Sequence, residues 1–541
     1  MQSMPNKEDL LVAIFAEAFG VSAEALDIDA PLTEMGADSL QLFEVLAPIE
    51  QGFGVKLSVR QFFAELQTIR QLHEYLQAQA VDRPGKGFAW MRRSADAVES
   101  QARQRYLDAL VPRYVARTRQ SKIHAEQVRE CIADSRSGIG FKGSTKEMLY
   151  PLVCNEFKGA RVRDLDGNEY VDMTMGFGTH LFGHSPAFID QALHDQLELS
   201  YGLGTRNAAA LDVARLICEL TGMHRVAFVN SGTEAIMNAV RAARAATRRN
   251  HVVLFSSSYH GHWDAVLASG GQRGVSSPVS VGIPQGMVTD VSVFDFASRA
   301  ALDFITEQGE RIAAVLIEPV PTRDPGLVDP NYLRALREVC TAAGALLIFD
   351  EIVTGFRAHP AGVQGLFDIQ ADIVTYGKTI GGGMPLGVVA GRGDTLDAID
   401  GGPWSYGDTS FPAVEPTFFG GTFFQHPLAM ATALASLQHI KQLGAAFTED
   451  LTARTKRFAQ RLNALFADYG VAIEARSFAS FMRLVHRENM DLLYYNLLLR
   501  GVYIWEWRCW FISTAHHDED LDLVYHAFVD SLEELRSNAL I

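Results

Sequence analysis

From about Tyr150 the chain repeats one pattern: a short apolar segment rich in β-branched and aromatic residues, followed by helix or loop. RVAFVN, HVVLFSS, AAVLIEPV, ALLIFDEI and DIVTYGK all follow it. Strands that are apolar along most of their length are buried on both faces, and strands alternating with helices pair in parallel through crossovers. The pattern predicts an α/β domain with a mostly parallel central sheet. From about Ala435 helices mix with the strands FMRLVHR and CWFIST, which predicts a smaller α+β C-terminal lobe.

The first 80 residues obey a different rule. In LLVAIFAEAFG, SLQLFEVLAPIEQGFG and VRQFFAELQTIRQLHEYLQAQA the apolar residues recur at helical spacing, which predicts a three- or four-helix bundle. Pro and Gly in DRPGKG, from Asp82 to Gly87, mark a linker. At 541 residues the chain exceeds what one core supports, so three regions are expected: 1–80 helical module, 81–120 basic linker or helical segment, 121–541 main domain. The main domain is expected to divide into a large part of about 180–430 and a small lobe from about 435 that also takes the N-terminal segment.

Charge follows the same division. The total is −16, which argues against nucleic-acid binding. Residues 1–80 carry 12 Asp/Glu and 4 Lys/Arg, a balance of −8, whereas 81–122 carry 10 Lys/Arg and 4 Asp/Glu, a balance of +6. Two readings stand side by side here: transient docking of the acidic module on the basic segment, or a solvated helix with charged faces. Five scattered cysteines without CxxC spacing argue against a disulfide framework and a zinc site, so no metal is expected. No signal-peptide pattern or membrane-length apolar run occurs, and a cytoplasmic setting without membrane association is the expectation.

Two side chains stand at the ends of strands, where ligand sites of open parallel sheets gather. Asp350 ends ALLIFD, and Lys378 ends DIVTYGK 28 residues later, followed by TIGGG. A lysine at the end of a buried strand is costly unless it is paired or used covalently. Imine chemistry with pyridoxal phosphate needs this pair, a lysine for the imine and a carboxylate to keep the pyridine nitrogen protonated. RVAFVN runs into SGTEAIMNAVRAARAAT, so Ser231, Gly232 and Thr233 stand at a helix N-terminus suited to phosphate. SYHGHWD offers Tyr259 to stack on a ring, with His260 beside it, and FFGGTFF offers Thr422 on a Gly-rich turn. Near the N-terminus, Asp38 and Ser39 of GADSL stand where a loop meets an amphipathic helix. They are placed either to cap that helix or to expose a serine hydroxyl for modification.

Taken together, SGTEA, SYHGHWD, LIEPV, FDEIVTGFR, YGKTIGGGMPLG and FFGGTFF resemble the class III aminotransferases of fold type I, near glutamate-1-semialdehyde aminomutase, over about residues 121–535. The resemblance implies Lys378 as the imine-forming lysine, Asp350 as the pyridinium partner and Ser231, Gly232 and Thr233 as the phosphate cup. It further implies Tyr259 and Ile352 on opposite ring faces, Glu318 and His260 near the cofactor, and Thr422 reaching the neighbouring subunit's phosphate in a homodimer with shared sites. Residues 7–80 resemble acyl or peptidyl carrier proteins, which implies a four-helix carrier bundle with 4′-phosphopantetheine on Ser39, attached by a phosphopantetheinyl transferase. The stretch from YVARTRQSK to MGFGTHLFGH looks most like aminotransferase domains embedded in polyketide and nonribosomal peptide synthases. The implied activity is amination of a carbonyl, typically β-keto, on a carrier-bound acyl chain, with glutamate or glutamine as donor and synthase components as partners. An aminomutase, a transaminase of free substrates and a non-catalytic carrier platform are the alternatives. MGFG around Phe177 and VYIWEWRCWFIS, with Trp505, Trp507, Trp510 and Phe511, either wall the acyl path or pack under the small lobe.

Overall fold

Along each central strand, alternate side chains enter two different cores: Leu347 and Phe349 pack on one face of the sheet, Ile348 on the other. This period of two, with apolar residues on both sides, makes the strand a fully covered element. The computed structural model describes residues 7–19, 21–22, 26–32, 45, 48–49, 66, 68–81, 100–138, 141–270 and 276–541. The chain forms two units, Met1–Gly87 and Phe88–Ile541.

In the larger unit the central strands are β1 (Arg225–Val229), β2 (His251–Phe255), β3 (Val291–Phe294), β4 (Ile312–Ile317), β5 (Leu346–Asp350), β6 (Ile373–Gly377) and β7 (Gly387–Gly391). Their order across the sheet is β1-β7-β6-β5-β4-β2-β3. β7 runs antiparallel to both of its neighbours, and the remaining pairs are parallel. The mostly parallel sheet is therefore as expected, with β3 and β7 added to the five strands read from sequence. The small lobe carries an antiparallel sheet of β8 (Ile473–Phe478), β9 (Phe481–His486) and β10 (Cys509–Phe511).

The helix Gln101–Arg117 lies inside the segment read as a basic linker or helical segment. Tyr106, Leu107, Leu110 and Tyr114 are buried along it, in one core with Leu497 and Phe528 of the small lobe. Its charges are used locally: Arg103 pairs with Asp491 at 2.8 Å, and the Tyr106 hydroxyl donates to Glu534 at 2.9 Å.

In the smaller unit the helices Lys7–Phe19 and Ile69–Val81 contribute Leu11, Phe15, Ile69, Leu72 and Leu76 to one core. Ser39 and the remaining helices expected for the bundle lie outside the described residues. No helix among the described residues is long and apolar enough to cross a membrane.

One buried acid next to the sheet has a structural task. Glu351, fully buried, accepts the backbone N–H groups of Val363 at 2.6 Å and Gln364 at 3.2 Å, and the Thr354 hydroxyl at 3.1 Å. Burial pushes its carboxyl up to about 7. Because the folded chain keeps this proton after the unfolded chain has released it, the group's contribution to stability is full below the ordinary glutamate range and falls as pH rises to about 7. Glu351→Ala strands buried donors, so urea unfolding is expected to show a loss of about 2–5 kcal/mol together with a flatter pH profile in that window.

Candidate active site

The sheet brings the predicted site together at the C-terminal ends of its strands. Asp350, the last residue of β5, is in register with Thr375 of β6, and Lys378 comes directly after the last residue of that strand. Gly377 pairs with Gly387, which in turn pairs with Val229, two residues before Ser231. A Cβ at Gly387 would collide with the Ser231 carbonyl, so this close approach requires glycine. Lys378 has φ of 40°, an uncommon conformation for a side chain of this kind and a mark of backbone held in place by its surroundings.

The Lys378 amine sits in a desolvated pocket. Burial lowers its pKa against the opposing pull of Glu318 and Asp350, which moves it toward the neutral, nucleophilic form. Asp350 is buried, and its Oδ2 lies 2.7 Å from His260 Nδ1. Its Oδ1 accepts the Ile352 backbone N–H at 3.1 Å. His260 therefore serves Asp350 directly, a relation that its place beside Tyr259 in sequence does not reveal. Glu318, at the end of β4, accepts the Tyr259 backbone N–H at 3.2 Å and the Thr322 hydroxyl at 2.9 Å. Burial, reinforced by the charge of Asp350, raises its carboxyl pKa.

Ser231 caps the helix Gly232–Thr247, its hydroxyl accepting the Glu234 N–H at 3.2 Å. Thr233 Oγ1 lies 3.1 Å from Nδ1 of His262, a contact the sequence reading did not include. A Cβ at Gly232 would stand 3.1 Å from Ile352, and one at Gly377 would stand 3.2 Å from it, so Ile352 lies between the helix start and the lysine strand. Tyr259 is 47% exposed. Thr422 stands apart from these groups, on an exposed segment outside helix and strand.

These residues fit pyridoxal phosphate. The desolvated amine, the buried carboxylate one strand away and the helix N-terminus supply an imine partner, a ring-nitrogen partner and a phosphate seat. One buried polar atom at the site, His260 Nε2, has no hydrogen-bond partner among the described residues.

Of the segments expected either to wall the acyl path or to pack under the lobe, one part lies in the small-lobe core and another is exposed. Trp510 and Phe511 are buried in β10, Trp510 stacked on Phe528 with centroids 5.4 Å apart. Phe177 is 45% exposed, has φ of 55°, and meets the edge of Trp505 at 6.3 Å. Arg357, within FDEIVTGFR, was missed. Fully buried, it donates to Ser480 Oγ at 2.8 Å and to the Gly178 carbonyl, and lies 5.0 Å from the Phe511 ring, tying the Phe177 loop to the small lobe.

Comparison with known proteins places this geometry in a class. The model for aminotransferase class-III matches residues 143–514, and the model for a phosphopantetheine attachment site matches residues 9–76. The chain belongs to the class-III aminotransferase family and carries a phosphopantetheine carrier domain ahead of it. It is a pyridoxal-phosphate-dependent aminotransferase of fold type I, and its cofactors are pyridoxal phosphate and 4′-phosphopantetheine. Among its relatives, glutamate-1-semialdehyde 2,1-aminomutase of Alkaliphilus oremlandii is 34% identical over 404 residues, covering 71% of this chain and 92% of the relative. The enzyme of that name from Nitratidesulfovibrio vulgaris is 38% identical over 337 residues, covering 61% and 75% respectively. Among solved structures, a β-phenylalanine aminotransferase from Variovorax paradoxus superposes with a TM-score of 0.68 at 28% identity, covering 80% of this chain and 98% of that one. A transaminase with pyridoxal phosphate bound gives 0.69 at 27% identity, with 78% and 98% covered.

Proposed function

We propose that this enzyme moves an amino group from an amino-acid donor to a carbonyl, β-keto in position, of an acyl chain held as a thioester on the phosphopantetheine of Ser39, within polyketide or nonribosomal peptide assembly. The observation that carries this reading is the presence of a carrier domain and an aminotransferase domain on one chain. The donor leaves as a 2-oxo acid, and the acyl C=O becomes CH–NH2. Tethering keeps the acyl group near the site at an effective concentration on the order of millimolar for a short flexible linker. Synthase components that load and unload Ser39 are the partners implied, together with the phosphopantetheinyl transferase that attaches the arm.

Pyridoxal phosphate, when bound, supplies the aldehyde that takes up the amino group and the protonated ring that holds the electron pair between bond changes. Lys378 would hold the cofactor, and its desolvated amine is suited to moving a proton at the substrate carbon. Asp350 keeps the ring nitrogen protonated, and His260 holds that carboxylate in place. Ser231, Gly232 and Thr233 would seat the phosphate, and Tyr259 and Ile352 would lie against the ring. Glu318 orients the Tyr259 backbone. Thr422, exposed and outside helix and strand, would serve the phosphate of a second subunit. The homodimer is supported by the exposed aromatic residues of the segment that carries Thr422, among them Tyr406, Phe411, Phe418 and Phe423, since large apolar side chains left exposed along one segment point to an interface.

The names of the relatives favour one further reading, an aminomutase that moves nitrogen within a single molecule. Donor dependence separates the two. Amination of the Ser39-bound chain is expected to stop when the amino acid is omitted and to resume on its addition; turnover of an amino-aldehyde without any donor supports the mutase instead.

A further inference from the structure

Arg357 is fully buried, and no carboxylate pairs with it among the described residues. Burial alone pushes its guanidinium down to about 9, so it stays charged at neutral pH, and its Nε has no hydrogen-bond partner among the described residues. A buried cation without a counter-charge works against folding, and chains keep such groups where function uses them. The partners of this one come from two separate segments. Nη1 donates to Ser480 Oγ at 2.8 Å, in the turn between β8 and β9, and Nη2 donates to the Gly178 carbonyl. The ring of Phe511 in β10 covers the group at 5.0 Å. A Cβ at Gly178 would stand 2.6 Å from that ring, so only glycine fits between the turn and β10.

The turn that Gly178 closes is strained. Met175, Gly176, Phe177 and Gly178 have φ of 43°, 59°, 55° and 92°, four consecutive residues in the left-handed region, two of them with side chains. Such a run persists only where its surroundings hold it, and both ends are held here. Asp172 accepts the N–H groups of Thr174 at 2.7 Å and Met175 at 3.1 Å, and Arg357 takes the Gly178 carbonyl. The turn abuts the lysine. A Cβ at Gly176 would stand 2.7 Å from the His180 ring and one at Gly383, five residues after Lys378, 3.4 Å from the same ring, so His180 fills the space between the two turns. On its other side the Phe177 ring lies 5.9 Å from the Arg508 guanidinium. Cys509, next in the chain, donates its thiol to the Thr322 carbonyl at 2.9 Å, and Thr322 binds Glu318 of the site. Beside burial, which dominates, Arg357 is the charge that lowers the Lys378 amine against Glu318, Asp350 and Cys509.

We infer that Arg357 is a positioning residue for the aminotransferase reaction: its guanidinium ties the Phe177 turn to the small lobe and so sets where Phe177 stands at the mouth of the Lys378 pocket. Buried as it is, Arg357 meets no substrate itself and acts through Phe177. The planar fork explains the choice of arginine, because one rigid group spans two acceptors on two segments, whereas the point charge of a lysine amine reaches one of them. The inference rests on the aminotransferase reading of the site and is independent of the carrier.

The test uses the full-length holoenzyme and follows cofactor absorbance after addition of an amino acid that converts the wild type, glutamate being the first tried, so that the apparent dissociation constant and the limiting rate are read separately. Arg357→Gln is expected to lower the ratio of limiting rate to dissociation constant about 10- to 100-fold, the scale of a group misplaced from a distance, and mainly through the dissociation constant. Phe177→Ala is expected to do the same, and the double variant to be no worse than either single one, because both substitutions remove one and the same contact. Arg357→Lys, which keeps the charge without the span, is expected to fail like Arg357→Gln. Ser480→Ala, checked for an unaltered thermal transition, stands in if the Arg357 variants misfold; it is expected to shift the dissociation constant in the same direction, again without adding to Phe177→Ala. Additive effects, a wild-type ratio in folded Arg357→Gln, or full recovery in Arg357→Lys overturns the inference. Because no acyl chain takes part, coupled variants together with no amination of the Ser39-bound chain leave Arg357 in its role and sink the carrier reading. Additive variants with that amination intact do the reverse.

Discussion

Lys378→Ala is expected to lower kcat for the tethered substrate by about 10⁴-fold, the upper end of what a positioned general base contributes. No other residue can take its place, because its position depends on the end of β6, on a backbone held at φ of 40° and on the Gly377–Gly387 pairing beneath it. Lys378→Arg is expected to fail equally, since a guanidinium stays protonated where burial draws the lysine amine toward neutrality. Borohydride reduction followed by peptide mapping checks the assignment: the wild type retains the cofactor on the peptide containing Lys378, and both variants lose it. Because Lys378→Ala removes a desolvated amine and no apolar core side chain, the variant should keep a cooperative thermal transition. A folded variant within tenfold of wild-type turnover would contradict the assignment.

Ser39→Ala carries the second large effect, and it separates tethering from bare chemistry. The variant is expected to accept no phosphopantetheine and to lose amination of carrier-bound substrate completely, while its reaction with the amino donor alone continues at the wild-type rate. A soluble thioester that mimics the arm, supplied at micromolar concentration, is expected to react about 10²-fold or more slowly than the tethered chain, because the millimolar effective concentration of the tether is gone. Wild-type amination of free substrate by Ser39→Ala would instead mark the carrier as a docking handle for a free-substrate transaminase.

Much of this site was legible in the sequence because its signals are local. Asp350 and Lys378 end apolar strands, and Ser231 begins a helix; each can be read from a window of about ten residues. What the sequence withheld depends on tertiary contact. The bond between His260 and Asp350 spans 90 residues. The bond from the Cys509 thiol to the Thr322 carbonyl depends on the small-lobe sheet folding against the segment after β4, which no periodicity announces. Arg357 was hidden because arginine in a motif reads as exposed, whereas this one is buried among Ser480, Gly178 and Phe511. The helix Gln101–Arg117 falls in the stretch read as a basic linker or helical segment, and its sequence did not say which core it would join. Its apolar face, Tyr106 to Tyr114, is nevertheless part of the small-lobe core.

The most direct test of the account loads Ser39 of the holoenzyme with a β-ketoacyl group, adds glutamate carrying a labelled amino nitrogen, and maps the Ser39 peptide by mass spectrometry. The account predicts that the acyl oxygen is exchanged for hydrogen and a labelled amino group on that peptide, in the wild type and not in Lys378→Ala. An unchanged acyl mass on Ser39, with the enzyme still taking nitrogen from glutamate, would contradict it.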